Sequence, residues 1–145
     1  MGCEAVRYLL DTCVISELVR PRPDQGVVEW LANREEESIF LSVLTLGDIQ
    51  KGIAKLKNGK RRDAIQRWLD TELRERFSER TLPVDDEVTL AWGLIQAEAE
   101  LQGTPVPTID GLLGATAVAH NLTIVTRNEQ DILPTGARVV NPWKT

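Results

Sequence analysis

The sequence predicts an α/β fold built on a central, mainly parallel sheet, and three observations predict it. Short apolar runs suited to buried strands alternate with stretches whose apolar residues recur at helical spacing, the pattern of strands joined by crossover helices. One helical stretch, Thr108 to Asn121, carries Gly111, Gly114, Ala115, Ala117 and Ala119, small enough to pack close against a sheet. Carboxylates stand at the joints between elements: Asp11, Asp48, Asp110 and Asp131. Open α/β sheets bind ligands where strands hand over to helices.

Val6–Leu10 reads as a buried strand apart from Arg7. Thr12 to Val19 forms a short helix stopped by Pro21 and Pro23. Asp24 is placed to cap a helix through Asn33, with Val27, Val28, Trp30 and Leu31 as its apolar residues. Glu35–Glu37 is a solvated turn, and Ile39 to Val43 a second strand. Thr45 to Leu56 is amphipathic, with Leu46, Ile49, Ile53 and Leu56 on one face. Asn58-Gly59 breaks it. Lys60 to Phe77 is the next helix, striped by Ile65, Trp68, Leu69 and Leu73. Thr81–Val84 is a short extended segment. Asp85 or Asp86 caps a helix over Glu87 to Leu101, where Val88, Ala91, Trp92, Ile95 and Ala99 recur. After the Gly103–Pro107 loop comes the Thr108 helix, then strands Leu122–Thr126 and Arg138–Val140.

A chain of 145 residues defaults to one domain, 1–145, and no linker, repeat or low-complexity tract divides it. At this size folding buries roughly 68–70% of the extended chain's surface, enough for a self-sufficient core. No apolar run approaches the roughly 18 residues of a membrane span. Met1-Gly2 precedes Val6, where a myristoylation motif wants Ser or Thr, and no secretory signal is expected. Cytoplasm is the expected compartment. The formal charge of −5 argues against a standing nucleic-acid binder, which is usually basic. An enzyme that meets nucleic acid transiently is compatible with it.

Cys3 and Cys13 are the only cysteines and give neither a disulfide framework nor a zinc site. The single histidine, His120, reads as a helix C-terminal residue on the dipole, with a Cys13–His120 nucleophilic pair as the rival. That leaves the acids, whose all-oxygen chemistry suits a hard cation such as Mg²⁺ or Mn²⁺. Each acid also has a structural reading. Asp11 caps the helix that follows. Thr45-x-x-Asp48 is a capping box with Asp in place of Glu. Asp110 follows a Thr108 cap and gains from the dipole. Asp131 belongs to the polar loop Arg127–Asp131. Gly52, one turn beyond Asp48, leaves room beside that carboxylate. Lys51, Lys55, Lys57, Lys60, Arg61, Arg62 and Arg67, opposed only by Asp63, form either a solvated face or a patch for a phosphate polymer.

Leu9-Leu10-Asp11-Thr12-x-Val14-Ile15-Ser16-Glu17 resembles the opening motif of the PIN-domain nucleases, the VapC toxins of bacterial toxin–antitoxin pairs above all. Leu41-Ser42-x-x-Thr45-x-x-Asp48-Ile49-x-x-Gly52-Ile53 resembles the second acidic motif. Asp110-Gly111-x-x-Gly114-Ala115-Thr116-Ala117 resembles the third, and Leu122–Asn128 with Asp131 the fourth. The tail Asn141-Pro142-Trp143 is similar to that of the FitB branch. Three positions depart from the pattern: Asp48 stands where Glu is usual, Cys13 where Asn is usual, and Asn128 where FitB-like chains carry an acid.

The resemblance implies a three-layer α/β/α fold and a Mg²⁺- or Mn²⁺-dependent ribonuclease. Asp11 and Asp110 would ligate the metal. Asp48 and Asp131 would hold its water, orient the attacking water or bind a second ion. Thr12, Thr126 and Asn128 would contact ligands or substrate. The products would carry a 5′-phosphate and a 3′-hydroxyl. The implied partners are a cognate antitoxin, which presents an Arg or Lys to the acidic pocket, an RNA substrate, DNA only through the antitoxin, and a second copy in a homodimer. No membrane partner is expected. A non-enzymatic alternative is a weakened, partner-binding subunit of a DNA-binding regulator. Phosphoryl transfer through an aspartyl-phosphate is disfavoured because Cys13 stands where Asp-x-Asp needs its second acid. Nucleotide binding lacks a glycine-rich phosphate loop after the first strand.

Overall fold

The computed structural model describes residues 5–144, so the readings placed on Met1, Gly2 and Cys3 lie outside the described residues. Strands β1 (Tyr8–Leu10), β2 (Ile39–Ser42), β3 (Thr81–Leu82), β4 (Thr123–Val125) and β5 (Arg138–Val140) form one parallel sheet in the order β3-β2-β1-β4-β5. The register sets Leu9 beside Ile124 and Leu10 beside Val125. Side chains alternate across a strand, and here they divide the core. Leu10 and Val125 pack with Val14, Ile15, Ile49 and Phe77 on one face. Leu9 and Ile124 pack with Leu113, Ala117 and Ile132 on the other. The predicted three layers follow from that alternation. The expected start of β1 at Val6 gives way because Val6 is exposed, although the Arg7 carbonyl still accepts from the Thr123 N–H at 2.9 Å.

Helices α1 (Thr12–Leu18) and α2 (Gln25–Ala32) follow β1, the second capped by Asp24 through the Val27 N–H at 3.2 Å. The next helix, α3 (Val43–Ala54), begins two residues before the expected Thr45. Ser42 ends β2 in extended backbone, and its hydroxyl accepts the Leu44 N–H at 3.0 Å. The Thr45-x-x-Asp48 box therefore does not form: Thr45 is already buried inside the helix. The predicted Lys60–Phe77 helix runs as α4 (Lys60–Arg67), a wider π-type turn over Trp68–Leu73, and α5 (Arg74–Arg76). Leu69 and Leu73 point into the core from that turn.

Asp85 caps α6 (Asp86–Leu101) through the Val88 N–H at 3.0 Å. Helix α7 (Thr108–His120) starts after Pro107, and Thr108 is its first residue rather than its cap. Its glycines serve helix contacts more than the expected sheet contact. A Cβ on Gly111 would lie 2.9 Å from Gln96 Oε1 and 3.1 Å from Trp92 Nε1, both on α6, and one on Gly114 would collide with Thr135. Leu113 and Ala117 make the sheet contact. Asn121 ends α7 at φ 55°, and the Leu122 N–H returns to the Ala117 carbonyl at 2.8 Å. Helix α8 (Glu129–Ile132) links β4 to β5. Among the described residues no helix is long and apolar enough to cross a membrane.

Candidate acidic active site

The carboxyl edge of the sheet is built from the last residues of its strands. Asp11 follows β1, and its N–H donates to the Val125 carbonyl of β4 at 3.0 Å. This fixes its backbone and frees both carboxylate oxygens for different tasks. Oδ1 accepts the Thr12 N–H at 2.8 Å and caps α1. Oδ2 accepts the hydroxyl of Thr126, the residue after β4, at 2.7 Å. The two readings of Asp11, helix cap and site acid, thus belong to one side chain. Thr126 Oγ1 also accepts the Asn128 N–H at 2.9 Å, which shapes the loop leading to Asp131. In the first turn of α1, Thr12 donates its hydroxyl to Asp48 Oδ2 at 3.0 Å. Ser42 having taken the cap, Asp48 sits halfway along α3 with nothing within 4 Å of a Cβ built on Gly52.

Asp110 lies in the first turn of α7 and Asp131 in α8, where Asp131 is exposed. Burial pushes the Asp110 carboxyl above its ordinary value, and the charges of Asp11, Asp131 and Asp48 push it further. Burial also raises Asp11, against the hydrogen bonds from Thr126 and the Thr12 N–H, and the Asp48 charge adds to the rise. All four acids read from the sequence therefore share one electrostatic field. Asp11 and Asp110, raised by burial and by these charges, lower the cost of their charge by taking up a proton or a cation.

Among the described residues no three His, Cys, Asp or Glu side chains form a ready-made metal-holding group. A Mg²⁺ ion needs none, because it is commonly held through one or two carboxylates and keeps several waters. The donors at this edge are carboxylate and hydroxyl oxygens, with raised carboxyls that a hard cation would relieve. On that chemistry the residues fit such an ion.

The structure adds neighbours whose roles the sequence reading did not assign. Cys13 Sγ lies 3.8 Å from Asp11 Oδ2 and 3.6 Å from Thr126 Oγ1, and accepts the Arg127 N–H at 3.5 Å. Burial first, then the Asp11 charge, push its thiol up, the wrong direction for a nucleophile. The Cys13 thiol meets Asp11, Thr126 and the Arg127 N–H and not His120, whose Nε2 is buried without a hydrogen-bond partner, so the Cys13–His120 pair does not form. Glu17, part of the opening motif, is buried and accepts the Asp24 N–H at 3.0 Å and the Trp143 indole N–H at 3.3 Å. The Asn141-Pro142-Trp143 tail is thereby tied beneath α1, though nothing in residue spacing links Glu17 to Trp143.

A groove of about 590 Å³ runs from Thr12 and Asp48 between α1, α3 and α4. Ile15, Val19, Ile53 and Trp68 give it an apolar floor, and Arg20 and Arg61 stand in its wall. Of the basic segment only Arg61 lines it, while Lys51, Lys55, Lys57 and Lys60 are exposed.

The PIN domain family matches residues 8–133. Toxin FitB of Neisseria gonorrhoeae (strain ATCC 700825 / FA 1090) is 36% identical over 93% of this chain and 97% of its own length. The VapC ribonuclease Y4jK of Sinorhizobium fredii (strain NBRC 101917 / NGR234) is 34% identical over 94% and 97%. The solved structure of FitAB bound to an IR36 DNA fragment contains a chain that superposes with a TM-score of 0.89 at 34% identity, covering 94% of this chain and 95% of that one.

Proposed function

The chain belongs to the PIN domain family, and from that premise we propose that it is the toxin of a bacterial type II toxin–antitoxin pair, a Mg²⁺- or Mn²⁺-dependent endoribonuclease. One observation carries the reading: the sheet's carboxyl edge gathers four acids into one field, with Asp11 tied to Thr126 and Asp48 tied to Thr12. The similarity to the ribonuclease Y4jK and to toxin FitB supports the RNA substrate and the toxin role.

Asp11 and Asp110 would hold the ion. When bound, it supplies Lewis acidity, lowering the pKa of water and offsetting charge on the phosphate. The chain's own groups position everything around it. Thr126 fixes the orientation of Asp11 and, through the Asn128 N–H, the entry to the helix that carries Asp131. Thr12 fixes Asp48, which would accept a hydrogen bond from the attacking water and orient it toward phosphorus. The products would be a 5′-phosphate and a 3′-hydroxyl.

Regulation fits the same edge. An antitoxin segment with an apolar face would lie in the groove and bring an Arg or Lys to Asp48, a charge-assisted contact. The formal charge of −5 favours leaving DNA binding to the antitoxin, in keeping with a neighbour, FitAB, solved on DNA. Leu90, Leu94 and Leu101 form an exposed stripe on α6 that suits pairing with a second copy. The test is cleavage of RNA by purified, partner-free protein with Mg²⁺ or Mn²⁺, against EDTA and against Asp11→Asn and Asp110→Asn. Cleavage that persists in EDTA or in either variant contradicts the metal mechanism, and no cleavage under any condition contradicts the enzyme.

A further inference from the structure

We propose that Arg127 is a substrate-positioning residue, its guanidinium laid on Trp143 at the border of the acidic site so as to grip an RNA backbone phosphate beside the scissile bond. The proposal rests on the ribonuclease reading. Arg127 directly follows Thr126, whose hydroxyl holds Asp11, and its own N–H donates to Cys13 Sγ at 3.5 Å. Its backbone is therefore pinned within a few ångströms of the acids. The side chain is exposed, and its guanidinium carbon lies 5.0 Å from the centre of the Trp143 ring.

That ring is a fixed platform. The Trp143 N–H donates to Asn141 Oδ1 at 2.9 Å, and the indole N–H to buried Glu17 at 3.3 Å. Asn141 in turn donates to Glu129 at 3.0 Å. A guanidinium stacked on an aromatic face keeps its in-plane donors free. Among the described residues no ion pair and no hydrogen bond engages the Arg127 guanidinium, whereas the neighbouring Lys144 is spent on Glu129 at 2.9 Å and Arg76 and Arg80 on Glu36. Arg127 and Asp131 line the same polar cleft of about 240 Å³. The other charged residues lining that cleft, Glu129 and Lys144, are paired with each other.

The need for such a fork is electrostatic. Four carboxylates repel a polyanion, and a cation outside the cluster must bring the strand to it. A planar fork held in one orientation binds two phosphate oxygens at little entropic cost. It contacts only the backbone, so it adds affinity without reading sequence.

The experiment pairs kinetics with binding on a short fluorescent single-stranded RNA. Arg127→Ala should raise KM about tenfold, the loss of one charge-assisted bond, with kcat held within about twofold. Binding is measured in an Asp110→Asn background, where the RNA stays intact, over a range of salt. There Arg127→Ala should lower the slope of log K against log salt by about 0.7, one phosphate contact on a single strand. Arg127→Lys should keep the slope while losing affinity. Trp143→Phe should keep both, and Trp143→Leu should weaken binding as Arg127→Ala does. Unchanged KM and salt slope in Arg127→Ala, or a fall in kcat alone, would overturn the proposal. Failure of the ribonuclease reading looks different: no cleavage by the unsubstituted protein, whatever Arg127 does to binding.

Discussion

Thr12 Oγ1 donates to Asp48 Oδ2 at 3.0 Å, joining the first turn of α1 to the middle of α3. Asp48 is left out of capping because Ser42 does that work six residues earlier. We predict that Asp48→Asn folds with a stability loss of about 1 kcal/mol at most, since an amide still accepts from Thr12, and that it loses most cleavage. Asp48→Glu should keep or raise cleavage, its longer arm reaching the same edge. RNA cleavage rates and melting curves for both variants decide it. A full rate in Asp48→Asn would remove the residue from the reaction.

Two glycines should respond differently to alanine. Gly114 packs against buried Thr135, and the added methyl has nowhere to go. Overpacking costs about 1–3 kcal/mol, against a helix-propensity gain of about 1 kcal/mol. Gly114→Ala should therefore be neutral to destabilising by about 2 kcal/mol in chemical denaturation. Gly52 faces open space beside Asp48. Gly52→Ala should stabilise by about 0.5–1 kcal/mol, and Gly52→Leu should fold normally yet weaken the antitoxin, because it fills the groove. Normal antitoxin affinity in Gly52→Leu would move the partner elsewhere.

Glu36 is held by Arg76 and then Arg80, at 2.7 Å each, and these bonds lower its pKa from 4.5 to about 2. The cluster ties α5 to the residues before β2. Because the folded pKa is depressed, the stabilisation is fully present above about 4.5 and lost as pH falls toward about 2. The carboxylate is 46% exposed, so solvent screening leaves about 1 kcal/mol rather than the full shift. Glu36→Gln should lower the melting temperature at pH 7 and match the parent at pH 2. An equal deficit at both pH values would mean packing, not charge, holds this corner.

The fold was legible because its signals are local. The Leu9-Leu10 and Ile124-Val125 pairs divide between two cores by simple alternation, and Asp24 and Asp85 cap where they should. Asp11 and Asp110 stand out in the sequence because they fall at element junctions, Asp11 as the cap of α1 and Asp110 in the first turn of α7, whereas Asp48, expected at a junction, lies halfway along α3. What escaped was set by pairs distant in sequence or by competing groups. Ser42 outcompeted Thr45 for a cap. Glu17 and Trp143 meet across 126 residues. The π-type turn at Trp68–Leu73 still buries Leu69 and Leu73, and periodicity alone cannot register its one extra residue.

The α6 stripe gives a prediction about assembly. Leu90, Leu94 and Leu101 are 72%, 76% and 84% exposed and lie on one helical face. Burying one leucine gains roughly 1.5–3 kcal/mol, so a second copy laid on this face would be held mainly by these side chains. The protein should be a dimer by light scattering, and the double variant Leu90→Glu, Leu94→Glu a folded monomer. A dimer that survives both substitutions uses another surface.

The clustered acids also carry a thermodynamic signature. Without metal, burial and the charges of Asp11, Asp131 and Asp48 disfavour ionised Asp110. Its folded pKa is raised, so its charge works against folding above the ordinary carboxyl range, and that cost fades as pH falls. An ion that binds the folded site and not the unfolded chain should offset it, by about 2.7 kcal/mol at 100 times its dissociation constant. For a chain of this length that corresponds to roughly 5–10 °C in melting temperature. Asp110→Asn removes a repelling charge together with a ligand. We predict that in EDTA it melts no lower than the parent, and that Mg²⁺ or Mn²⁺ raises its melting temperature less. Four melting curves, each protein with EDTA and with metal, suffice. If the parent shows no metal shift, or Asp110→Asn melts clearly lower in EDTA and shifts as far as the parent, the acids at this edge hold no ion.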